Sequence, residues 1–76
     1  MAIETIDDYQ LHLVAYELPS GGWDPFVTIL KFDEAADDFR CVAEKLHASD
    51  APLPTHGEAI EVARRAGTAW IETGRR

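Results

Sequence analysis

With 76 residues, 46% of them hydrophobic and 28% charged, the chain is long enough for one thin-cored domain and too apolar for a disordered tail. Its net charge of −7 arises in residues 1 to 50, where eleven acids face Lys31, Arg40 and Lys45; such a field disfavours nucleic acid and anionic lipid as partners. Cys41 is the single cysteine, which excludes an internal disulfide and fits a reducing, cytoplasmic setting, while the acidic start MAIETIDDYQ is unlike a secretory leader and no apolar run is long enough to span a bilayer.

In chain order, the first expected element is a strand over about residues 9–19, YQLHLVAYELP, rich in β-branched and aromatic residues and halted by the turn cluster PSGG. A second strand over about 23–32, WDPFVTILKF, tolerates Pro25 because a proline near a strand start removes no needed donor. Residues 39–47 admit two readings. Phe39, Val42, Ala43 and Leu46 recur at helical spacing behind a run of acids, which would give a β-β-α-α order. A bare two-stranded hairpin is marginal, however, so a third strand entered through a turn at EAADD is the better expectation.

SDAPLP then interrupts regular structure, since its prolines remove donors and disfavour helix before them. A helix over about 56–73 follows, opened by a capping box in which Thr55 accepts from the Glu58 amide, with Leu53 placed to staple the first turns. Ala59, Ile60, Ala63, Ala66, Gly67, Trp70 and Ile71 share one side; Glu58, Glu61, Arg64, Arg65, Thr68 and Glu72 share the other. Gly67 costs the helix about 1 kcal/mol relative to alanine. The small residues around it point to a helix axis lying close on a sheet, with the arginines facing solvent and Glu61 pairing with Arg65. Gly74, Arg75 and Arg76 suit a helix end. The expected fold is therefore α+β, a three-stranded antiparallel sheet packed on one C-terminal helix, β-β-β-α, in a single domain over 1–76.

One helix covers one side of a sheet, yet both sides of these strands are apolar. The first offers Leu11, Leu13 and Ala15 on one side and Val14, Tyr16 and Leu18 on the other; the second offers Phe26, Leu30 and Phe32 against Val27 and Ile29. The uncovered side, assigned to Val14, Tyr16, Leu18, Val27 and Ile29, is expected to dock on a second copy or another protein, since large apolar patches are unusual on monomers.

Specific chemistry finds little support. Cys41, His47 and His56 lack the close ligand pair of a zinc site, and His12, alternating with leucines, reads as a solvent-facing strand residue. Cys41 beside Arg40 has no nucleophile elbow around it and reads as a small packed side chain. Asp33, Glu34, Asp37 and Asp38 lack calcium-loop spacing, and SGGW lacks the lysine of a phosphate loop, its glycines being those of a hairpin. Trp23 reads as a packing residue over that hairpin. No catalytic, cofactor or metal residue is assigned; the expectation is a non-enzymatic protein-interaction module, with an acidic nucleic-acid mimic that occupies a basic groove as the alternative.

Gly22 and Trp23 after the first hairpin, together with Thr55, Glu58, Ala59, Ile60, Ala63, Gly67, Trp70, Ile71 and Glu72 in the closing helix, resemble a loose group of small uncharacterised bacterial β-β-β-α proteins. That resemblance runs from Tyr9 onward and rests on core and cap positions, so it implies a fold and no activity. The element order also looks like the later part of a double-stranded-RNA-binding domain, but the first helix of such domains is missing and this helix opens with His56 and Glu58 where theirs is basic.

Overall fold

The computed structural model describes residues 2–74. Four strands and one helix follow one another: β1 (Ala2–Ile6), β2 (Tyr9–Glu17), β3 (Trp23–Asp33), β4 (Asp38–His47) and α1 (His56–Gly74). The strands form an antiparallel meander in chain order, and α1 lies across the two central strands β2 and β3. The α+β class and the C-terminal helix stand as expected. The strand count does not, because β1 precedes the three anticipated strands, and residues 39–47 are strand, which removes the β-β-α-α alternative.

Why β1 escapes a pattern search is clear from its pairing. Ala2, Glu4 and Ile6 lie opposite Leu13, Leu11 and Tyr9, on the helix side of the sheet, while Ile3 and Thr5 point the other way. A carboxylate therefore occupies an inward position and the large aliphatic Ile3 an outward one, 56% exposed, so the alternation that marks a strand is scrambled. The inward Glu4 is tolerated because Arg64 of α1 donates to it from Nε at 2.5 Å and to Glu61 from a terminal nitrogen. Arg64 thus does not simply face solvent as the helix pattern implies; Arg65, bridging to Glu61 at 3.5 Å, does. Hydrogen bonding to Glu4, then the charges of Glu4 and Glu61, raise the Arg64 pKa above its ordinary value.

The core sits between the sheet and the helix. Leu11 and Leu13 of β2, Val27 and Ile29 of β3, and Ala59 and Ala63 of α1 are fully buried, with Ile71 and Tyr9 closing its ends. A β-carbon added at Gly67 would stand 3.0 Å from both Leu11 methyls and 3.1 Å from a Val27 methyl, so the missing side chain is what lets the helix axis come down onto the strands. The helix begins as its cap dictates, with the Glu58 amide donating to Thr55 Oγ1 at 3.1 Å. Gly74 is its last residue; the expected role of Arg75 and Arg76 at its end lies outside the described residues.

The segment before the helix is tied down by backbone. Leu53 forms an antiparallel bridge to Trp23, each amide donating to the other's carbonyl at 2.8 and 2.9 Å. Only Gly21 of the hairpin has a positive φ, 97°; Gly22 is required for a different reason, since its β-carbon would fall 2.6 Å from Pro52 of this segment. Trp23 meets the His56 ring edge-on at a centroid distance of 5.0 Å, and so packs at the helix start rather than over the hairpin.

Candidate functional site

Register decides what each face of the sheet carries. Across β2 and β3 the pairs Leu11↔Ile29, Leu13↔Val27 and Ala15↔Pro25 look toward the helix, and Gln10↔Leu30, His12↔Thr28, Val14↔Phe26 and Tyr16↔Asp24 look away. Val27 and Ile29, expected on the uncovered side, are therefore core residues beneath α1, both 0% exposed. A single strand reveals which residues share a side but not which side the helix takes, and the register puts Val27 and Ile29 in phase with Leu13 and Leu11, not with Val14 and Tyr16. Leu18 falls in the hairpin beyond the end of β2, its amide bonded to the Gly22 carbonyl at 2.7 Å, and belongs to neither face. Val14 and Tyr16 do lie on the open face; Phe26, Leu30 and Phe32 join them.

β4 extends that face. Phe26 pairs with His47, Leu30 with Cys41 and Phe32 with Phe39. Register shifts flank Ile29, so that Thr28 opposes both Glu44 and Lys45 and Val42 has no opposite number. Lys45 takes a φ of 46° in this bulge, and its amide donates to Thr28 Oγ1 at 3.1 Å. Bulges and the charges of Arg40, Glu44 and Lys45 make β4 a poor edge for adding another strand. Cys41 is exposed there, where a packed interior side chain was expected.

Two aromatic clusters occupy opposite ends of the open face. At one, Tyr16 meets Phe26 edge-on at 5.5 Å and Phe26 stacks on the His47 ring at 4.9 Å. At the other, Phe32 meets Phe39 edge-on at 5.4 Å. Between them runs a polar band of Gln10, His12 and Thr28, in which Gln10 and His12 share a hydrogen bond of 2.8 Å. Not one residue of this face is buried among the described residues; Tyr16 is 49% exposed and Ile3 56%. Asp24 is the one carboxylate that β1, β2 and β3 place on it, and it is bonded to the His47 ring.

The acids lie elsewhere. Asp7 and Asp8 turn β1 into β2; Asp33, Glu34, Asp37 and Asp38 turn β3 into β4; the Phe32 amide donates to the Asp8 carbonyl at 2.8 Å, so both turns stand at one end of the sheet. The second turn is closed by its own acids, Asp33 accepting from the Ala35 amide at 3.0 Å and Asp37 taking a φ of 53°. Asp33 also lies 3.7 Å from Arg40. Among the described residues no group of three His, Cys, Asp or Glu side chains is placed to hold a metal ion, and no helix is long and apolar enough to cross a membrane. The side of α1 carries a shallow groove of about 490 Å3 lined, among the described residues, by Ala66, Ala69, Trp70, Thr73 and Gly74.

No family model, no curated protein and no solved structure matches the chain.

Proposed function

We propose that the chain is a non-enzymatic interaction module that associates with a second copy of itself through the open face of its sheet. The observation that carries this reading is the contrast between the faces. Leu11, Leu13, Val27 and Ile29 on the helix side of β2 and β3 are fully buried, whereas on the other side Val14, Phe26, Leu30 and Phe32 are only partly buried and Tyr16 is exposed. Depletion of charge with retention of aromatics is the compositional mark of an interface centre, and this face keeps Asp24 as its lone carboxylate on β1 to β3 in a chain of net charge −7. A second copy brings an equally charge-poor, aromatic surface while leaving the acidic turns at the rim. Extents of 45 × 23 × 16 Å give a long side of roughly 700 to 1,000 Å2, in the range of the ~800 Å2 per partner buried by stable complexes.

Sedimentation equilibrium over a broad concentration range tests the reading. A dimer that becomes monomeric on Tyr16→Lys, with helix and sheet signals unchanged, is the expected result; a chain monomeric at millimolar concentration refutes it. A second reading, an acidic mimic that fills the basic groove of a nucleic-acid-binding protein, draws on the gathering of Asp7, Asp8, Asp33, Glu34, Asp37 and Asp38 at one end. Its binding would weaken steeply with salt, whereas docking of the apolar face would not.

A further inference from the structure

We propose that docking of the open face is proton-linked through the Asp24–His47 pair, so that the dimer tightens as the His47 imidazole gains a proton. The proposal rests on the self-association reading above and adds its regulation. Asp24 of β3 and His47 of β4 are bonded side chain to side chain across the sheet edge, and the His47 ring lies flat against Phe26, 4.9 Å between centroids, within the aromatic cluster that includes Tyr16. Both are partly open to water, the His47 side chain 46% and the Asp24 side chain 22% exposed, so a partner laid over this cluster removes water from both.

The sign follows from what is desolvated. With His47 neutral, the pair carries one negative charge, and a two-fold interface would take in two such charges, each costly to strip of water. With His47 protonated, the pair is neutral overall and joined by a charge-assisted hydrogen bond, and the penalty falls. Docking is therefore accompanied by proton uptake at the pair. Along the chain Lys45 stands two residues before His47 and Asp50 three residues after it, and across Phe26 the Tyr16 phenol of β2 belongs to the same cluster; α1 lies on the far side of the sheet. The two remaining histidines act differently. His12 is bonded to the neutral Gln10 amide, so its protonation adds an unpaired charge to the face and opposes docking. His56 packs on Trp23 at the helix start, away from the open face.

The test is the dimer dissociation constant of the full chain at constant ionic strength. Between about pH 6 and about pH 8, Kd is expected to rise about tenfold, the effect of a mean uptake of roughly half a proton per dimer across that range. His12→Gln should keep that rise and His47→Gln should abolish it. Asp24→Asn separates a proton-linked pair from a merely structural one: it is expected to bring Kd at the higher pH down to the wild-type value at the lower, whereas loss of a structural bond would weaken the dimer at both. A wild-type dimer whose Kd is the same at both values, a His47→Gln variant that retains the change, or an Asp24→Asn variant that is weak throughout overturns the linkage and leaves self-association standing. A chain monomeric at both values overturns both proposals.

Discussion

Replacing Gly67 with alanine sets two calculable effects against each other. In a helix interior the change gains about 1 kcal/mol from backbone propensity alone. The new methyl, however, would stand 3.0 Å from Leu11 Cδ1, 3.0 Å from Leu11 Cδ2 and 3.1 Å from Val27 Cγ2, whereas carbon pairs rest at about 3.5 to 4.0 Å. Leu11 and Val27 are fully buried in the middle of the two central strands, so neither can swing into solvent and the helix must lift or the side chains leave their preferred rotamers. Overpacking of that kind costs about 1 to 3 kcal/mol, leaving Gly67→Ala less stable by about 1 kcal/mol after the propensity gain. For a domain of this size that lowers Tm by about 4 to 8 °C. Gly57→Ala serves as the matched control, since its β-carbon would meet nothing within 4 Å and propensity acts there unopposed. Thermal and urea unfolding followed by circular dichroism, at one fixed protein concentration, should move the two variants in opposite directions. If Gly67→Ala stabilises as much as Gly57→Ala, the close approach of helix to sheet is not what the glycine serves.

Other substitutions probe the remaining links of the fold. Thr55→Ala removes the acceptor for the Glu58 amide and is expected to cost about 1 kcal/mol in urea unfolding, with Thr55→Ser recovering most of it. Glu4→Gln weakens the bond that Arg64 makes from α1 to β1, so amide hydrogens of Ala2–Ile6 should exchange faster while those of β2 and β3 keep their protection. A guanidinium is charged at every pH at which the protein is studied, and Glu4 raises the Arg64 pKa further, so raising the pH to about 10 should leave the protection of β1 amides unaltered once intrinsic exchange is corrected.

Much of this architecture was legible because local signals agreed with one another. The Thr55 and Glu58 pair announced the helix start, the prolines of SDAPLP cleared the space before it, and the small residues around Gly67 announced a close helix-sheet contact. The run from Phe39 to His47 was settled by a tertiary argument, the need for more than a hairpin, against its own helical spacing. β1 stayed hidden because Glu4 sits inward and Ile3 outward, an arrangement that only Arg64, sixty residues away, makes tolerable.

Taken alone, the chain determined its class, its helix and the fact that β2 and β3 are apolar on both sides, since these depend on residues close together along the backbone. Which side the helix would take was decided in three dimensions. Period-two alternation labels two faces without ranking them, and the relative phase of adjacent strands is fixed only by the hydrogen-bond register, which buries Val27 and Ile29 with Leu11 and Leu13 and leaves Phe26, Leu30 and Phe32 beside Val14. The meeting of Asp24 with His47, from strands separated by the acidic turn, is a product of that same register and of the bulges in β4.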